Sequence, residues 1–228
     1  MNFLNKPADL SRSSMTPTPT LAVDSDKRRV LRLGAGGLLL TGLAGALAAC
    51  GKQTPKANFV SIDLTGADYA KGFALADQNG QQRTLKDFAG KVVVVFFGFT
   101  QCPDVCPTSM VELAQARKTL GADGDKVQVV FLSVDPERDT PEVLKAYMAN
   151  FDPTFIALRP TPEQLPQVAK DFKIYYKKVE GKTPGSYSMD HSAGSYLYDL
   201  KGNIRLYSRY GNDAAGLVSD IKALIQGG

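Results

Sequence analysis

A chain of 228 residues that is 43% hydrophobic and 22% charged is long enough for one domain with a substantial core and an additional segment. Its formal net charge of +4 lies largely in residues 1–49, which hold six of the 27 basic and three of the 23 acidic residues. The remainder of the chain therefore carries 21 basic and 20 acidic residues. A nearly neutral domain lacks the basic surface that nucleic-acid binding requires, and we predict no nucleic-acid partner.

The N-terminal region has the order of an export signal. Four basic residues lie between Lys27 and Arg32, and residues 33–51, which follow, carry no charge. The apolar run ends in LAAC, residues 47–50, which resembles the lipobox of bacterial lipoproteins. That resemblance implies cleavage before Cys50, lipidation of its sulfur and acylation of the new amino group. Two acyl chains would hold the protein stably on a membrane.

These features divide the chain into three predicted regions. Residues 1–49 are a disordered leader and lipoprotein signal peptide, residues 50–70 a lipidated tether, and residues 71–228 the folded domain. An uncleaved transmembrane helix is the alternative, although the apolar run is barely long enough and rich in Gly. Arg28 and Arg29 also allow twin-arginine export beside the general secretory route. We expect a lipid-anchored protein of the bacterial cell envelope that faces the periplasm or another extracytoplasmic side. The sequence does not decide between the inner and the outer membrane.

From residue 71 onward the pattern alternates between strands and helices. Predicted strands lie, in chain order, at residues 73–76, 82–85, 91–99, 127–135, 155–159 and 173–179, followed by a hairpin over residues 194–211 that turns at residues 201–203. Predicted helices lie at residues 110–121, 140–151, 161–172 and 214–225. Thr108 or Ser109 is expected to cap the first helix, and Thr140 with Pro141 is a typical start for the second. Pro166 is expected to limit the first turns of the third.

This order predicts a three-layer α/β domain with a mixed central sheet. Residues 180–190, EGKTPGSYSMD, contain Gly and Pro without periodicity and are predicted to form a loop. Sites in such domains form at the carboxyl ends of strands, where helices begin. Cys102 and Cys106, directly after the strand at residues 91–99, lie at such a place.

Cysteine usage restricts the chemistry of that place. If Cys50 is lipidated, the exported domain keeps Cys102, Cys106 and one histidine, His191. Because an exported compartment is oxidising, the pair is either a disulfide or a pair kept reduced for a purpose. A purely structural disulfide is the weaker interpretation, since closing so short a loop constrains the unfolded chain very little. Positions i and i+4 of a helix lie on one face with Cα atoms about 6 Å apart, which suits both a disulfide and a shared metal ion.

The donor set favours copper, one ion per chain. Two thiolates are soft ligands that select Cu(I), zinc or iron–sulfur chemistry over magnesium or calcium. Structural zinc sites and iron–sulfur clusters usually take four ligands, and the exported domain offers three. His191, 85 residues beyond Cys106, is the candidate third ligand, with a surface or packed histidine as the alternative interpretation. Asp190 beside it is a candidate for orienting the ring.

Three blocks of the sequence resemble the Sco/SenC family, whose name refers to synthesis of cytochrome c oxidase. The blocks are FFGFTQCPDVCPTSM, VVFLSVDPERDTPEVLKAYMANF and DHSAGSYLYDLKGNIRLYSRYG, and together they span nearly all of residues 70–228. The resemblance implies a thioredoxin-like fold and a membrane-anchored, monomeric copper chaperone that helps to assemble the dinuclear copper centre of oxidase subunit II. It implies these copper ligands: Cys102, Cys106 and His191.

The same resemblance places Asp190 before the histidine ligand and gives Asp135, in the block VDP, a structural role. We expect the loop before His191 to let the imidazole swing away and open the site for transfer of the ion by ligand exchange.

Two enzyme classes remain as alternatives. A thiol–disulfide oxidoreductase would reduce the cysteines of oxidase subunit II. Thioredoxin-like enzymes, however, normally have two residues between their cysteines and a tryptophan before them. This chain has three residues between its cysteines and contains no tryptophan. A peroxidase of the peroxiredoxin type needs Thr three positions before its cysteine, whereas Thr100 precedes Cys102 by two. Copper delivery, thiol reduction and redox sensing all use one pair of cysteines, so the sequence leaves the choice between them open.

Overall fold

The structure, a computed structural model, describes residues 58–228. The predicted leader, the predicted signal peptide and the predicted lipidation site Cys50 therefore lie outside the described residues. In residues 58–228, no helix combines the length and the apolar character needed to cross a membrane.

Ten strands and four α-helices make up the described part of the chain. The strands are β1 (Ile62–Asp63), β2 (Ala74–Asp77), β3 (Gln82–Thr84), β4 (Val92–Gly98), β5 (Val127–Ser133), β6 (Ile156–Arg159), β7 (Tyr176–Glu180), β8 (Tyr187–His191), β9 (Ser195–Tyr198) and β10 (Ile204–Ser208). The helices are α1 (Val105–Thr119), α2 (Pro141–Met148), α3 (Leu165–Phe172) and α4 (Ala214–Ile225). Eight strands form a mixed sheet in the order β1-β10-β9-β4-β5-β6-β2-β3, and β7 and β8 form a separate two-stranded sheet.

The centre of the sheet is the buried parallel pair β4 and β5. All seven residues of each strand are buried, and the pairing runs from Val92 opposite Val127 to Gly98 opposite Ser133. Continuous runs of Val and Phe form such strands because both faces of the sheet are covered. The predicted strands at residues 91–99 and 127–135 are thereby confirmed.

Helices cover both faces of this sheet. Phe96 of β4 contacts the ring of Phe131 on the face that also carries Cys106 of α1. Phe97, its neighbour, points to the opposite face and packs edge-on against Phe172 of α3, with ring centroids 5.0 Å apart. The result is a three-layer α/β domain of the thioredoxin-like type, as the sequence predicts.

Residues before 71, in the segment predicted as the tether, also pack onto the folded domain. Strand β1 pairs antiparallel with β10. The backbone N–H groups of Val60 and Ser61 donate to the two carboxylate oxygens of Asp220, a fully buried residue of α4, at 2.7 and 2.9 Å. The pairing of β1 and these two hydrogen bonds depend on partners about 150 residues away, which no local pattern in residues 58–70 indicates.

Helix α1 starts at Val105, three to four positions earlier than the caps predicted at Thr108 and Ser109. Asp104 is the residue at its N-cap, and Pro107 lies in the first turn. Proline is tolerated there because the first N–H groups of a helix have no partner within the helix. Cys106 is therefore part of the helix, whereas Cys102 lies in the turn that precedes it.

Residues 187–191 form strand β8 rather than the predicted loop. They pair with β7 from Tyr176 opposite His191 to Glu180 opposite Tyr187. The turn at residues 181–186 contains the Gly and Pro that led to the loop prediction, and its short flanking strands are mostly polar and exposed, which hides their alternation. His191 consequently lies at the end of a paired strand and not in a free loop. We name β7 and β8 together the β7–β8 ribbon.

Replacing Gly98 with alanine is expected to destabilise the domain by about 1–3 kcal/mol through overpacking. An added Cβ would lie 2.8 Å from ring atoms of both Phe96 and Phe131 and 2.9 Å from Cys106 Sγ. Chemical denaturation of the reduced protein measures the change. Gly80→Ala is the control, since its Cβ meets nothing within 4 Å and only the positive φ of +78° penalises the side chain. Equal stability of Gly98→Ala and the parent would contradict the packing described here.

Candidate metal centre

The two cysteines lie where strand β4 gives way to helix α1. The Cys102 N–H donates to the Phe99 carbonyl at 3.2 Å, which closes a tight turn directly after the strand. Cys106, in the first turn of α1, is fully buried, and its N–H points at Cys102 Sγ at 3.5 Å. The unpaired N–H groups of a helix start favour a thiolate over a thiol. Cys102 therefore lies beside backbone N–H groups that favour its thiolate form, whereas Cys106 packs into the core.

The β7–β8 ribbon brings His191 to this pair. His191 Nε2 lies 3.6 Å from Cys106 Sγ, across 85 residues of sequence. One ligand atom from each of Cys102, Cys106 and His191 lies within 4.8 Å of the other two. Three donors that converge so closely form a group able to hold one metal ion, and the sequence analysis names the same three residues.

Aromatic rings and one carbonyl fix the imidazole. The ring stands edge-on to Phe99 and Phe96, with centroids 5.8 and 6.4 Å away. Nδ1 lies 2.9 Å from the carbonyl oxygen of Ser192. Because a carbonyl only accepts, Nδ1 carries the proton and donates to it, which leaves the lone pair of Nε2 directed at the cysteines.

Asp190 does not supply the orienting contact that was predicted for it. Successive residues of a strand point to opposite faces, so the side chain of Asp190 turns away from that of His191 and is exposed. The Ser192 carbonyl takes the place of the expected carboxylate. A backbone acceptor carries no sequence signal, which explains why the pattern of side chains pointed to the wrong group.

The two thiols differ sharply in acidity. The pKa of Cys102 is lowered to about 5, first because the Cys106 side chain hydrogen-bonds to it and further through backbone N–H groups of the turn. The pKa of Cys106 is raised, first because it is the partner in that hydrogen bond and next because it is buried. The reduced, metal-free pair therefore holds one thiolate at neutral pH, on the half-buried Cys102.

Alkylation should reveal this asymmetry. In the reduced, metal-free protein, Cys102 is expected to react with iodoacetamide with a midpoint at about pH 5, because its lowered pKa leaves it ionised above that value, while Cys106 stays unmodified. Mass spectrometry of peptides from protein alkylated between pH 4 and pH 9 measures both. In Cys106→Ala, which lacks the donor, the midpoint should move up toward the ordinary pKa of a thiol, about 8.5. An unchanged midpoint in that variant would contradict the assigned cause.

A buried polar cluster behind the cysteines went unrecognised in the sequence. Asp139 is fully buried and accepts hydrogen bonds from the hydroxyls of Thr100 and Ser133, both at 2.6 Å, and from the Thr100 N–H at 3.2 Å. Thr100 lies two residues before Cys102. Asp135, which lies in the same sequence block as Asp139, is also buried and pairs with Arg138, which agrees with a structural role for Asp135. No local pattern marks Asp139 as inward-facing, because its partners Thr100 and Ser133 lie on other segments of the chain.

Comparisons with known proteins agree with this fold and group. Residues 63–226 match the family model described as SCO1/SenC. The SCO2-like protein of Rickettsia felis is 36% identical over 151 residues, which are 66% of this chain and 74% of that protein. The copper-bound structure of ScoI from Bradyrhizobium japonicum is 41% identical with a TM-score of 0.61, and covers 67% of this chain and 97% of that one. The structure of apo Sco1 from Thermus thermophilus is 36% identical with a TM-score of 0.65, and it covers 75% of this chain and 99% of that one.

Proposed function

This chain belongs to the SCO1/SenC family, and we propose that it is a copper chaperone that binds one copper ion through Cys102, Cys106 and His191 and assists assembly of the dinuclear copper centre of cytochrome c oxidase. The observation that carries the proposal is the convergence of two sulfurs and one imidazole nitrogen within 4.8 Å. The copper-bound ScoI structure, at 41% identity, supports copper as the ion.

The donor chemistry fits copper. Thiolate sulfur is a soft ligand suited to Cu(I), and two thiolates with one imidazole also suit Cu(II). The Ser192 carbonyl keeps the proton on Nδ1, so Nε2 is available without a prior change of tautomer. Cys102 is already a thiolate at neutral pH, whereas Cys106 must lose its proton when an ion binds.

The burial of the three ligands sets an order for transfer. Cys102 and His191 are half-buried and can be reached from solvent, while Cys106 is enclosed. A thiolate of the acceptor would displace the exposed ligands first and the Cys106 sulfur last. The ion would pass to oxidase subunit II by ligand exchange, without an unbound intermediate. Lipidation of Cys50 would keep the protein on the extracytoplasmic face of a bacterial membrane, where such an acceptor lies.

One observation favours thiol–disulfide exchange as a second candidate function. A half-buried cysteine with a pKa of about 5, next to a buried cysteine with a raised pKa, is the arrangement of an attacking thiol and a resolving thiol. In that function the protein would reduce the cysteines of oxidase subunit II. The imidazole would then have no required role, and this difference separates the two candidates.

An anaerobic Cu(I) titration of residues 51–228, which exclude the Cys50 thiol, reduced beforehand, tests the proposed function. We expect one ion per chain, with copper-edge X-ray absorption that reports two sulfur ligands and one nitrogen ligand. A zinc titration under the same conditions is the control, and we expect weaker binding because soft thiolates favour Cu(I) and a three-ligand site leaves the fourth position of zinc to water. Binding of less than one copper per chain, or a site without nitrogen, would refute the proposal.

A further inference from the structure

The imidazole of the metal centre is carried by an element outside the main sheet. In the described chain, β7 and β8 pair with each other and form a sheet of their own. Both cysteines, in contrast, follow directly from the central strand β4. The distance between imidazole and sulfurs therefore depends on whatever ties the β7–β8 ribbon to the body of the domain.

Tyr187 carries much of that attachment. It lies on β8 four residues before His191, so both side chains point to the same face of the strand. Its hydroxyl donates to Asp135 Oδ1 at 2.9 Å, and its carbonyl accepts from Arg138 Nη1 at 2.9 Å. The Arg138 guanidinium also lies over the Tyr187 ring, 3.5 Å from the centroid. Asp135 and Arg138 both belong to the segment that follows β5.

The same guanidinium reaches the cysteine turn. Arg138 Nη1 donates to Gln101 Oε1 at 2.9 Å, and Gln101 directly precedes Cys102. Arg138 Nε pairs with Asp135, whose carboxylate is 3% exposed, so the base of the arrangement is anchored in the core. One side chain thus contacts the cysteine turn and the histidine ribbon together. A planar guanidinium with donors in fixed directions can do this, and a lysine ammonium cannot.

We propose that Arg138 is a positioning residue of the metal centre, which holds the His191 ribbon at bonding distance from the cysteine turn through Tyr187 and Gln101. The inference rests on the proposed function. A ligand held in place before the ion arrives loses less conformational freedom on binding, so affinity is higher. Arg138 touches neither the ion nor the ligand atoms, and its effect passes entirely through the position of the imidazole.

A double-mutant cycle separates this role from general stabilisation. Cu(I) affinity is measured by competition with a chromophoric chelator for the parent, Arg138→Lys, His191→Ala and the double variant. Residues that support a ligand typically contribute 10–100-fold to metal affinity, and we expect Arg138→Lys to weaken binding by about 10-fold. In the His191→Ala background the same change should alter affinity less than about 2-fold, because the ligand that Arg138 positions is absent. Equal losses in both backgrounds would overturn the inference.

Lys178→Met is the matched control. Lys178 also places its cation over the Tyr187 ring, at 3.9 Å, and pairs with the exposed Glu137, but these contacts lie outside the cysteine turn. We expect parental affinity. A loss equal to that of Arg138→Lys would assign the effect to the aromatic contact instead and would overturn the bridging role.

A readout without copper completes the test. Hydrogen exchange of the metal-free Arg138→Lys protein should accelerate at residues 176–191 and remain unchanged in β4 and β5. If Arg138→Lys fails to fold, Gln101→Ala removes the exposed half of the bridge alone and should still weaken affinity in the parent and not in His191→Ala. An absence of Cu(I) binding in the parent would refute the proposed function, whereas parental binding with an additive cycle would refute only the role of Arg138.

Discussion

Replacing His191 with alanine is expected to lower Cu(I) affinity by at least about 100-fold, equivalent to about 2.8 kcal/mol. The imidazole nitrogen lies 3.6 Å from Cys106 Sγ, and no other histidine exists in the chain to replace it. Loss of a direct ligand should exceed the 10–100-fold effect that is typical of groups that merely orient ligands. Competition with a chromophoric Cu(I) chelator under anaerobic conditions measures the change.

Asp190→Ala is the control for this experiment, because its side chain is adjacent in sequence, exposed and directed to the other face of the strand. We expect its affinity to match the parent. Reduction of a disulfide-bridged peptide, assayed on the same variants, tests the enzyme alternative. Copper affinity and disulfide reduction that are both retained in His191→Ala would favour the oxidoreductase, in which the imidazole has no required role, over the chaperone.

Replacing Asp139 with alanine is expected to destabilise the domain by about 3 kcal/mol. The change leaves the buried Ser133 hydroxyl and the half-buried Thr100 hydroxyl and N–H without their acceptor, and a buried polar group without a partner costs about 1–3 kcal/mol. Urea denaturation of the reduced protein measures the loss. Cu(I) affinity should fall as well, because Thr100 leads directly into the cysteine turn.

Asp139→Asn keeps the size and one acceptor oxygen and should be less destabilising. It also tests the titration of the carboxyl. Burial raises the pKa of Asp139, so its contribution to stability is greatest when it is protonated and declines as the pH rises through the raised value. Between about pH 4 and neutrality, the parent should therefore lose stability relative to Asp139→Asn. A difference that stays constant across this range would show that the pKa is the same in the folded and unfolded states.

The sequence predicts the parts of the fold that local pattern determines. Strands β4 and β5 follow from unbroken apolar runs, and α2 follows from the Thr140 cap, whose hydroxyl accepts from the Val143 N–H at 3.3 Å. Helix α4 occupies the predicted residues 214–225. The predicted strands at residues 73–76, 82–85 and 155–159 and the late hairpin are also present, with ends shifted by one to three residues.

Two strands were missed. Strand β1 exists because it pairs with β10, and the N–H group of Val60 beside it donates to Asp220, both distant in sequence. Strand β8 lies in the predicted loop, whereas its partner β7 overlaps the strand predicted at residues 173–179. In the site, cysteine spacing indicated metal or redox chemistry, but only the family resemblance selected His191. The inward orientation of Asp139 had no local signal, since its partners lie on β5 and at the end of β4.

The enclosure of Cys106 bears on how the protein survives oxidants. A Cβ built on Gly98 would lie 2.9 Å from the Cys106 sulfur and 2.8 Å from ring atoms of Phe96 and Phe131, so little space remains on that side of the sulfur. Sulfinic and sulfonic acids add two or three oxygen atoms to sulfur and are essentially irreversible. Overoxidation of Cys106 needs space that the aromatic rings occupy, so we expect peroxide to oxidise Cys102 first, to a sulfenic acid. The Cys106 thiol then converts that sulfenic acid to a reversible disulfide with release of water.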